Sequence, residues 1–89
     1  MSMDELFEQM KYFEEALVEF DNKLRVSMED LRSHHDYVSP HWQDEMRREY
    51  DGQWNPLNEI MEHYLNREGP SYVEFLEIKL HKLYKYLYG

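Results

Sequence analysis

The sequence predicts an all-α protein: a long antiparallel helical hairpin plus a third C-terminal helix, coiled-coil-like or bundled, in one domain over residues 1–89. Two observations predict this fold. Large apolar residues recur at alternating spacings of three and four near both ends of the chain, which is the period of amphipathic helices. No glycine or proline interrupts residues 3–33, so a first helix can run through that stretch without a break.

The first helix is predicted over residues 3–33. Its large apolar residues form a heptad seam, which would face a neighbouring helix. They are Leu6, Met10, Phe13, Leu17, Phe20 and Leu24, continued by Met28 and Leu31.

The second helix is predicted over residues 40–67. Ser39 suits an N-cap, and Pro40 suits the first helical turn, where its missing N–H is not needed. Pro56 lies inside the segment and removes one backbone hydrogen bond. The helix is therefore either kinked at Pro56 or broken there, with Asn55 and Pro56 as a fresh cap and first turn.

The third helix is predicted over residues 71–88, after an inter-helix turn at Gly69 and Pro70. Its leucines repeat at heptad spacing, and we expect it to dock on the first helix. Tyrosine is amphipathic and common at protein contacts, so this helix also supplies the predicted partner-binding residues. These are Leu76, Leu80, Leu83, Tyr84, Leu87 and Tyr88.

The second helix begins with an aromatic ridge. Trp42, Met46, Tyr50 and Trp54 are spaced by four residues, so they drift slowly around one helix face. We expect this ridge to be structural and to pack on the seam of the first helix between residues 13 and 24. It is not predicted to be a ligand box.

The arrangement of a long helix, a turn and a returning helix resembles the WXG-motif family of bacterial helical hairpins exported by type VII secretion. The matching residues are Trp42, Tyr50 and Trp54, and the resemblance covers roughly residues 5–65. Asp44 stands where the motif has its glycine. The resemblance implies a secretion substrate, and the family's tyrosine-to-acid export signal has a possible match at Tyr64 and Glu68.

Composition excludes several classes of function. Nineteen acidic and ten basic residues give a net charge of −9, which repels a phosphate backbone, so we expect no nucleic-acid partner. No apolar stretch is long enough for membrane insertion, and the acidic start is unlike a signal peptide. The predicted location is the cytoplasm, or outside the cell without a cleaved signal. The lack of cysteine leaves the redox compartment open.

Catalysis and cofactors are not predicted. Nucleophilic chemistry has no cysteine and no glycine-rich elbow around any serine. Two pairs at i, i+4 spacing, His41 with Glu45 and Glu59 with His63, are the best metal candidates, but the repeated Glu-x-x-His pattern of di-iron bundles is missing. Surface histidines explain these residues better, so no metal site is predicted.

The predicted function is a non-enzymatic helical interaction module that pairs with itself or with a protein partner through an exposed apolar seam. One alternative is a cytoplasmic adaptor or chaperone-like subunit that binds a client through its C-terminal helix. The other is a metal- or ligand-binding helical bundle.

Overall fold

The computed structural model describes all residues, 1–89, as two antiparallel helical arms. The first arm is α1, Met3–Val38, extended by a 3-10 turn over Ser39–His41. The second arm, here called the C-terminal arm, runs without interruption through α2 (Asp44–His63), a π-helical turn (Tyr64–Glu68) and α3 (Gly69–Tyr88). The all-α hairpin is confirmed.

The two arms form a narrow rod measuring 64 × 19 × 16 Å. The Tyr88 hydroxyl donates to Asp4 Oδ1 at 3.2 Å, so the two ends of the chain lie side by side. The hairpin turn therefore occupies one end of the rod and the chain ends occupy the other.

Helix α1 is longer than the predicted 3–33. The Ser2 side chain accepts a hydrogen bond from the Glu5 N–H at 3.1 Å and so caps the first turn. The helix continues to Val38 because no residue between 33 and 38 opposes helical geometry, and Pro40 is the first that cannot donate a backbone hydrogen bond.

The hairpin turn differs from its prediction. Ser39 does not cap α2; it belongs to the 3-10 turn that ends the first arm. Trp42 and Gln43 are extended, Gln43 occupies the N-cap position, and α2 begins at Asp44 instead of residue 40. Proline is compatible with the first turn of a 3-10 helix as well as of an α-helix. The pattern around Pro40 therefore fits both the predicted start of α2 and the observed 3-10 turn.

Pro56 does not break α2, which is helical on both sides of it. The missing N–H would have bonded the Gly52 carbonyl four residues earlier. Gly52 is exposed, so water can bond that carbonyl instead.

The predicted turn at Gly69-Pro70, with a separate third helix after it, is wrong. The Gly69 N–H bonds the Tyr64 carbonyl five residues back, and this wider π-helical turn carries the chain past Pro70 without a break. Gly69 instead permits a close approach of the arms. A Cβ there would lie 3.0 Å from Asp21 Oδ2 and 3.1 Å from the Tyr64 carbonyl oxygen.

The core lies along the line where the arms meet, and α3 packs against α1 over a longer stretch than α2 does. Its buried apolar side chains are Met28, Leu65, Leu76 and Leu80. The inner face of α1 is rotated from the predicted seam: Phe13 and Phe20 are 50% and 55% exposed. Half-buried positions on this face are Phe7, Met10, Glu14, Leu17, Asp21 and Leu24.

Candidate partner-binding surface

One side of the rod exposes a series of large apolar side chains, here called the apolar flank. Each of them is 37–62% exposed. They are Leu6, Phe13, Phe20 and Leu31 of α1, Leu57 and Ile60 of α2, and Tyr72 and Phe75 of α3. In α1 the spacings of 7, 7 and 11 residues are near-whole numbers of helical turns, which places these four side chains on one face.

Aromatic contacts across the arms hold the apolar flank together. Phe13 meets Tyr72 edge-on with ring centroids 6.2 Å apart, and Phe20 meets Tyr64 in the same way at 6.5 Å. Tyr72 in turn stacks on Phe75. The flank is thus built from both arms, and contacts within the chain hold its rings in place.

A groove of about 550 Å³ opens in the middle of the apolar flank. Its apolar lining is Phe20, Leu24, Ile60, Met61 and Tyr64, with Glu59, His63 and Glu68 as its polar residues. The π-helical turn forms part of this lining.

Tyr64 is fixed from inside the hairpin. Its hydroxyl donates to Asp21 Oδ1 at 2.6 Å, and this bond, with partial burial and the charge of Asp21, raises the pKa of Tyr64 to about 12. The phenol therefore stays protonated at neutral pH. The donor lies in the π-helical turn and the acceptor in α1, so the bond also helps to fix the axial register of the two arms.

The opposite side of the rod is polar and is here called the charged flank. Val18 lies there among charged and polar neighbours. Arg32 donates to Asn58 at 2.9 Å and pairs with Glu62 at 3.3 Å. Arg25 donates to the Leu65 carbonyl at 3.1 Å. These bonds link the two arms along the charged flank. The side chains around Val18 are charged or polar, unlike those of the apolar flank.

Glu14 is an acidic residue on the inner face of α1. Burial, followed by the nearby carboxylate of Glu77, raises the pKa of Glu14. Since the folded state favours the protonated form, the charged carboxylate weakens the hairpin as the pH rises above the ordinary value of 4.5 through the raised pKa.

We expect Glu14→Gln to raise the thermal midpoint at pH 7, because the amide keeps the shape and removes the repulsion. The gain should shrink as the pH falls below 4.5, where Glu14 is itself protonated. Thermal unfolding followed by circular dichroism at both pH values checks this, with Glu29→Gln, at an exposed position of the same helix, as control. Equal shifts for the two variants would contradict it.

The three rings of the aromatic ridge pack at the hairpin tip, whereas Met46 of the ridge is 60% exposed. His35 of α1 joins these rings in one stack in the order Trp42, Tyr50, His35, Trp54, with centroid separations of 5.3, 5.4 and 4.2 Å and planes within 12° of parallel. His35 Nδ1 lies 2.6 Å from the Tyr50 hydroxyl. The expected packing on residues 13–24 is wrong, because an antiparallel hairpin places the start of α2 beside the end of α1.

Asp44, at the glycine position of the WXG pattern, has a φ of 54° and is the one non-glycine residue with a positive φ. This left-handed conformation suits glycine, and aspartate tolerates it better than most residues. A second bond system braces the same turn: Arg47 donates to the Ser39 carbonyl at 2.7 Å and pairs with Asp51 at 3.1 Å.

We expect Asp44→Gly to raise the free energy of unfolding by about 1 kcal/mol, since glycine adopts a positive φ without strain. Asp44→Ala should lower it, because the alanine Cβ clashes in that conformation. Urea unfolding of both variants decides the point. A result in which alanine equals or exceeds glycine would mean that Asp44 is not held at a positive φ.

The residues predicted to bind a partner divide into two groups. Leu76 and Leu80 are buried against α1, and Leu83 and Leu87 are half-buried, so these leucines form the hairpin core. Only the two tyrosines are exposed. Tyr84 and Tyr88 lie 6.0 and 6.1 Å from the Phe7 ring, near the chain ends.

The predicted seam of α1 combines residues of the apolar flank with the inward-facing Met10, Leu17 and Leu24, so it does not identify the flank. The width of that stripe is the signal that does. A single facing helix covers a narrower strip, so one edge had to remain open.

The candidate metal pairs are not brought together. His41 lies at the hairpin tip before α2 begins, and Glu59 lies 15 residues into α2, about 22 Å from the start of that helix. His63 bonds Glu68 at 2.7 Å. No group of three histidine, aspartate or glutamate side chains has a geometry that could hold a metal ion.

Comparison with protein-family models, curated proteins and solved structures finds no match to this chain. None of its helices combines the length and apolar character that crossing a bilayer requires. The geometry of the apolar flank is therefore the main basis for a functional proposal.

Proposed function

We propose that this chain is a non-enzymatic helical interaction module that docks on a protein through its apolar flank. The observation that carries the proposal is the flank itself, with eight large apolar side chains exposed on one side of a rod 64 Å long. Soluble monomers rarely leave a contiguous apolar surface of this extent open, and such surfaces usually mark interaction sites.

The composition of the apolar flank supports a protein partner. Four of its eight side chains are aromatic, the class that contributes most to the energy of protein interfaces. The rings are held in place by contacts between the arms, so little conformational entropy is lost when a partner binds. The groove beside Phe20 offers a pocket for an anchoring side chain.

The turn geometry favours a more specific version of this proposal, a WXG-like hairpin. The positive φ of Asp44 is a conformation that glycine adopts easily, which supports the match of this position to the glycine of the motif. Such a protein would leave the cell without a cleaved signal. Mass spectrometry of culture supernatant tests this version, since intact, unprocessed chain is expected there and its confinement to the cell pellet would contradict it.

The docking proposal is tested with flank variants of the tagged chain in its native host. We expect Phe13→Ser/Phe20→Ser to lose the proteins that co-purify with the wild type, while Val18→Ser on the charged flank keeps them. Circular dichroism first establishes that both variants are as helical as the wild type. Co-purification unchanged in the double variant would contradict docking through this surface.

The same experiment separates the alternative of a client bound by the C-terminal tyrosines. Tyr84→Ser/Tyr88→Ser changes exposed side chains outside the apolar flank. If this variant loses the co-purifying protein and the flank variant keeps it, the result contradicts docking through the apolar flank. It supports instead an adaptor that binds its client through the C-terminal tyrosines.

A further inference from the structure

We infer that the groove in the apolar flank takes a basic amphipathic helix of another protein, with apolar side chains against Phe20 and lysine or arginine beside Glu59 and Glu68. The inference rests on the proposed function and names the chemistry of its partner. Three features of the groove carry it: the unlike character of its two edges, the free carboxylate oxygens on one edge, and the absence of a lysine or arginine from its lining.

The two edges of the groove differ in chemistry. The α1 edge is apolar and is formed by Phe20 and Leu24. The edge on the C-terminal arm holds both carboxylates of the lining, Glu59 and Glu68. A helix laid along the groove therefore meets apolar surface on one side and acidic groups on the other. This arrangement matches an amphipathic helix whose apolar face is bordered by basic residues.

Both carboxylates are available to a partner. Glu59 is exposed and forms no ion pair within the chain. Glu68 bonds His63 through Oε1 at 2.7 Å, and its Oε2 has no partner. No lysine or arginine lines the groove. The polar depression beside it adds Glu62 and Arg67, so the acidic residues outnumber the one arginine there as well. The acidic edge therefore lacks a cation, which a partner can supply.

The spacing of the two carboxylates fits basic residues two turns apart on a partner helix. Glu59 and Glu68 are nine residues apart, about 13 Å along the C-terminal arm. Bases at positions i and i+7 of a helix share one face and lie about 10 Å apart, and their long stems cover the difference. Lysine and arginine stems also pack on apolar surface while the charge stays in water. One such side chain can thus contact the apolar lining and reach a carboxylate.

The charge of the chain favours a basic partner over a second copy. At a net charge of −9, the chain attracts cationic segments and repels its own copies. The apolar flank of a second copy would bring eight uncharged side chains to the groove. Such pairing would leave Glu59 and Glu68 without a cation, whereas a basic helix satisfies both edges of the groove.

The acidic edge is tested by calorimetric titration with a synthetic amphipathic peptide of leucine and lysine, about 14 residues or four helical turns long. We expect Glu59→Gln/Glu68→Gln to raise the dissociation constant at least about fivefold, because two ion pairs are lost. The control Glu15→Gln/Glu29→Gln removes the same charge from exposed positions outside the groove and should change it less than about twofold. Equal effects would overturn the inference, since net charge alone would then explain binding.

The apolar edge is tested with the same peptide. We expect Phe20→Ser to raise the dissociation constant at least about tenfold, because an aromatic contact is lost from the centre of the interface. Val18→Ser, on the charged flank, should leave it unchanged. Circular dichroism first establishes that every variant is as helical as the wild type. A peptide that binds Phe20→Ser as tightly as the wild type would contradict binding in the groove.

Co-purification from the native host separates this inference from the proposed function. If Phe13→Ser/Phe20→Ser loses the partner and Glu59→Gln/Glu68→Gln keeps it, docking through the flank stands and the basic helix is ruled out. If both variants keep the partner, both proposals fail. Loss in both, together with the peptide titration, supports the inference.

Sedimentation equilibrium tests the remaining occupant. The wild-type chain alone is expected to stay monomeric up to about 1 mM, because its copies repel one another. A wild-type dimer that Phe20→Ser dissociates would identify a second copy as the occupant and would overturn the inference.

Discussion

Leu80→Asp is expected to unfold the hairpin or to remove most of its stability. Leu80 is 8% exposed and packs in the core between α3 and α1. Aspartate there places a charge in an apolar site with no partner, at a cost of roughly 4 kcal/mol or more. A domain of this size has little more than that to lose, so urea unfolding should show a collapse of the midpoint or loss of helicity at zero denaturant.

Ile78→Asp is the matched control for this change. It introduces the same charge two residues earlier on the same helix, where the side chain is 48% exposed. Its effect on the free energy of unfolding should stay within about 0.5 kcal/mol, as for most surface substitutions. Similar losses for both variants would mean that α3 is intolerant of charge in general, and that Leu80 is not a core residue.

Trp54→Ala is expected to lower the free energy of unfolding by about 3 kcal/mol. Replacing a fully buried tryptophan with alanine lowers the free energy of unfolding by roughly 3–5 kcal/mol. Trp54 is only half-buried, so we expect a loss at the lower end of that range. The variant removes the ring on which His35 stacks at 4.2 Å, and with it one end of the four-ring stack that ties α2 to α1. Thermal unfolding measures the loss.

Trp54→Phe keeps an aromatic ring at this position and should retain most of the stability. Trp42 is then the only tryptophan in both variants, so its fluorescence, excited selectively over that of the tyrosines, reports on the hairpin turn. We expect a red shift in the alanine variant and little change in the phenylalanine variant. Identical stabilities for alanine and phenylalanine would show that the stack does not hold the tip of the hairpin.

The two arms could be predicted because helix formation depends on information that is local in sequence. Residues 3–33 lack breakers and carry a regular apolar period, and both features act within a few turns. The reversal near Pro40 is local in the same sense, since a proline limits the backbone of its immediate neighbours. The predicted helix ends differ from the observed ones by several residues, as at the C-terminal end of α1. A helix can extend through residues that neither favour nor oppose it strongly, so local sequence does not define its last turn.

The path through Gly69-Pro70 illustrates a local signal that the tertiary structure overrides. Glycine followed by proline is a strong reason to end a helix. Here Asp21 bonds Tyr64 and lies beside Gly69, while Arg25 takes the Leu65 carbonyl in the same π-helical turn. These contacts join residues that are 40 to 48 positions apart in the sequence. The residues around Gly69-Pro70 alone therefore cannot predict them.

Local patterns in the sequence are enough to predict two long amphipathic arms with an acidic surface and a reversal between them. Which strip of α1 faces inward depends on contacts between the arms. The stripe from Leu6 to Leu31 is wider than one partner helix covers, and rotating α1 by a fraction of a turn exchanges its buried and exposed apolar residues at similar cost in burial. Specific contacts between the arms select the rotation, and that selection leaves Phe13 and Phe20 on the apolar flank.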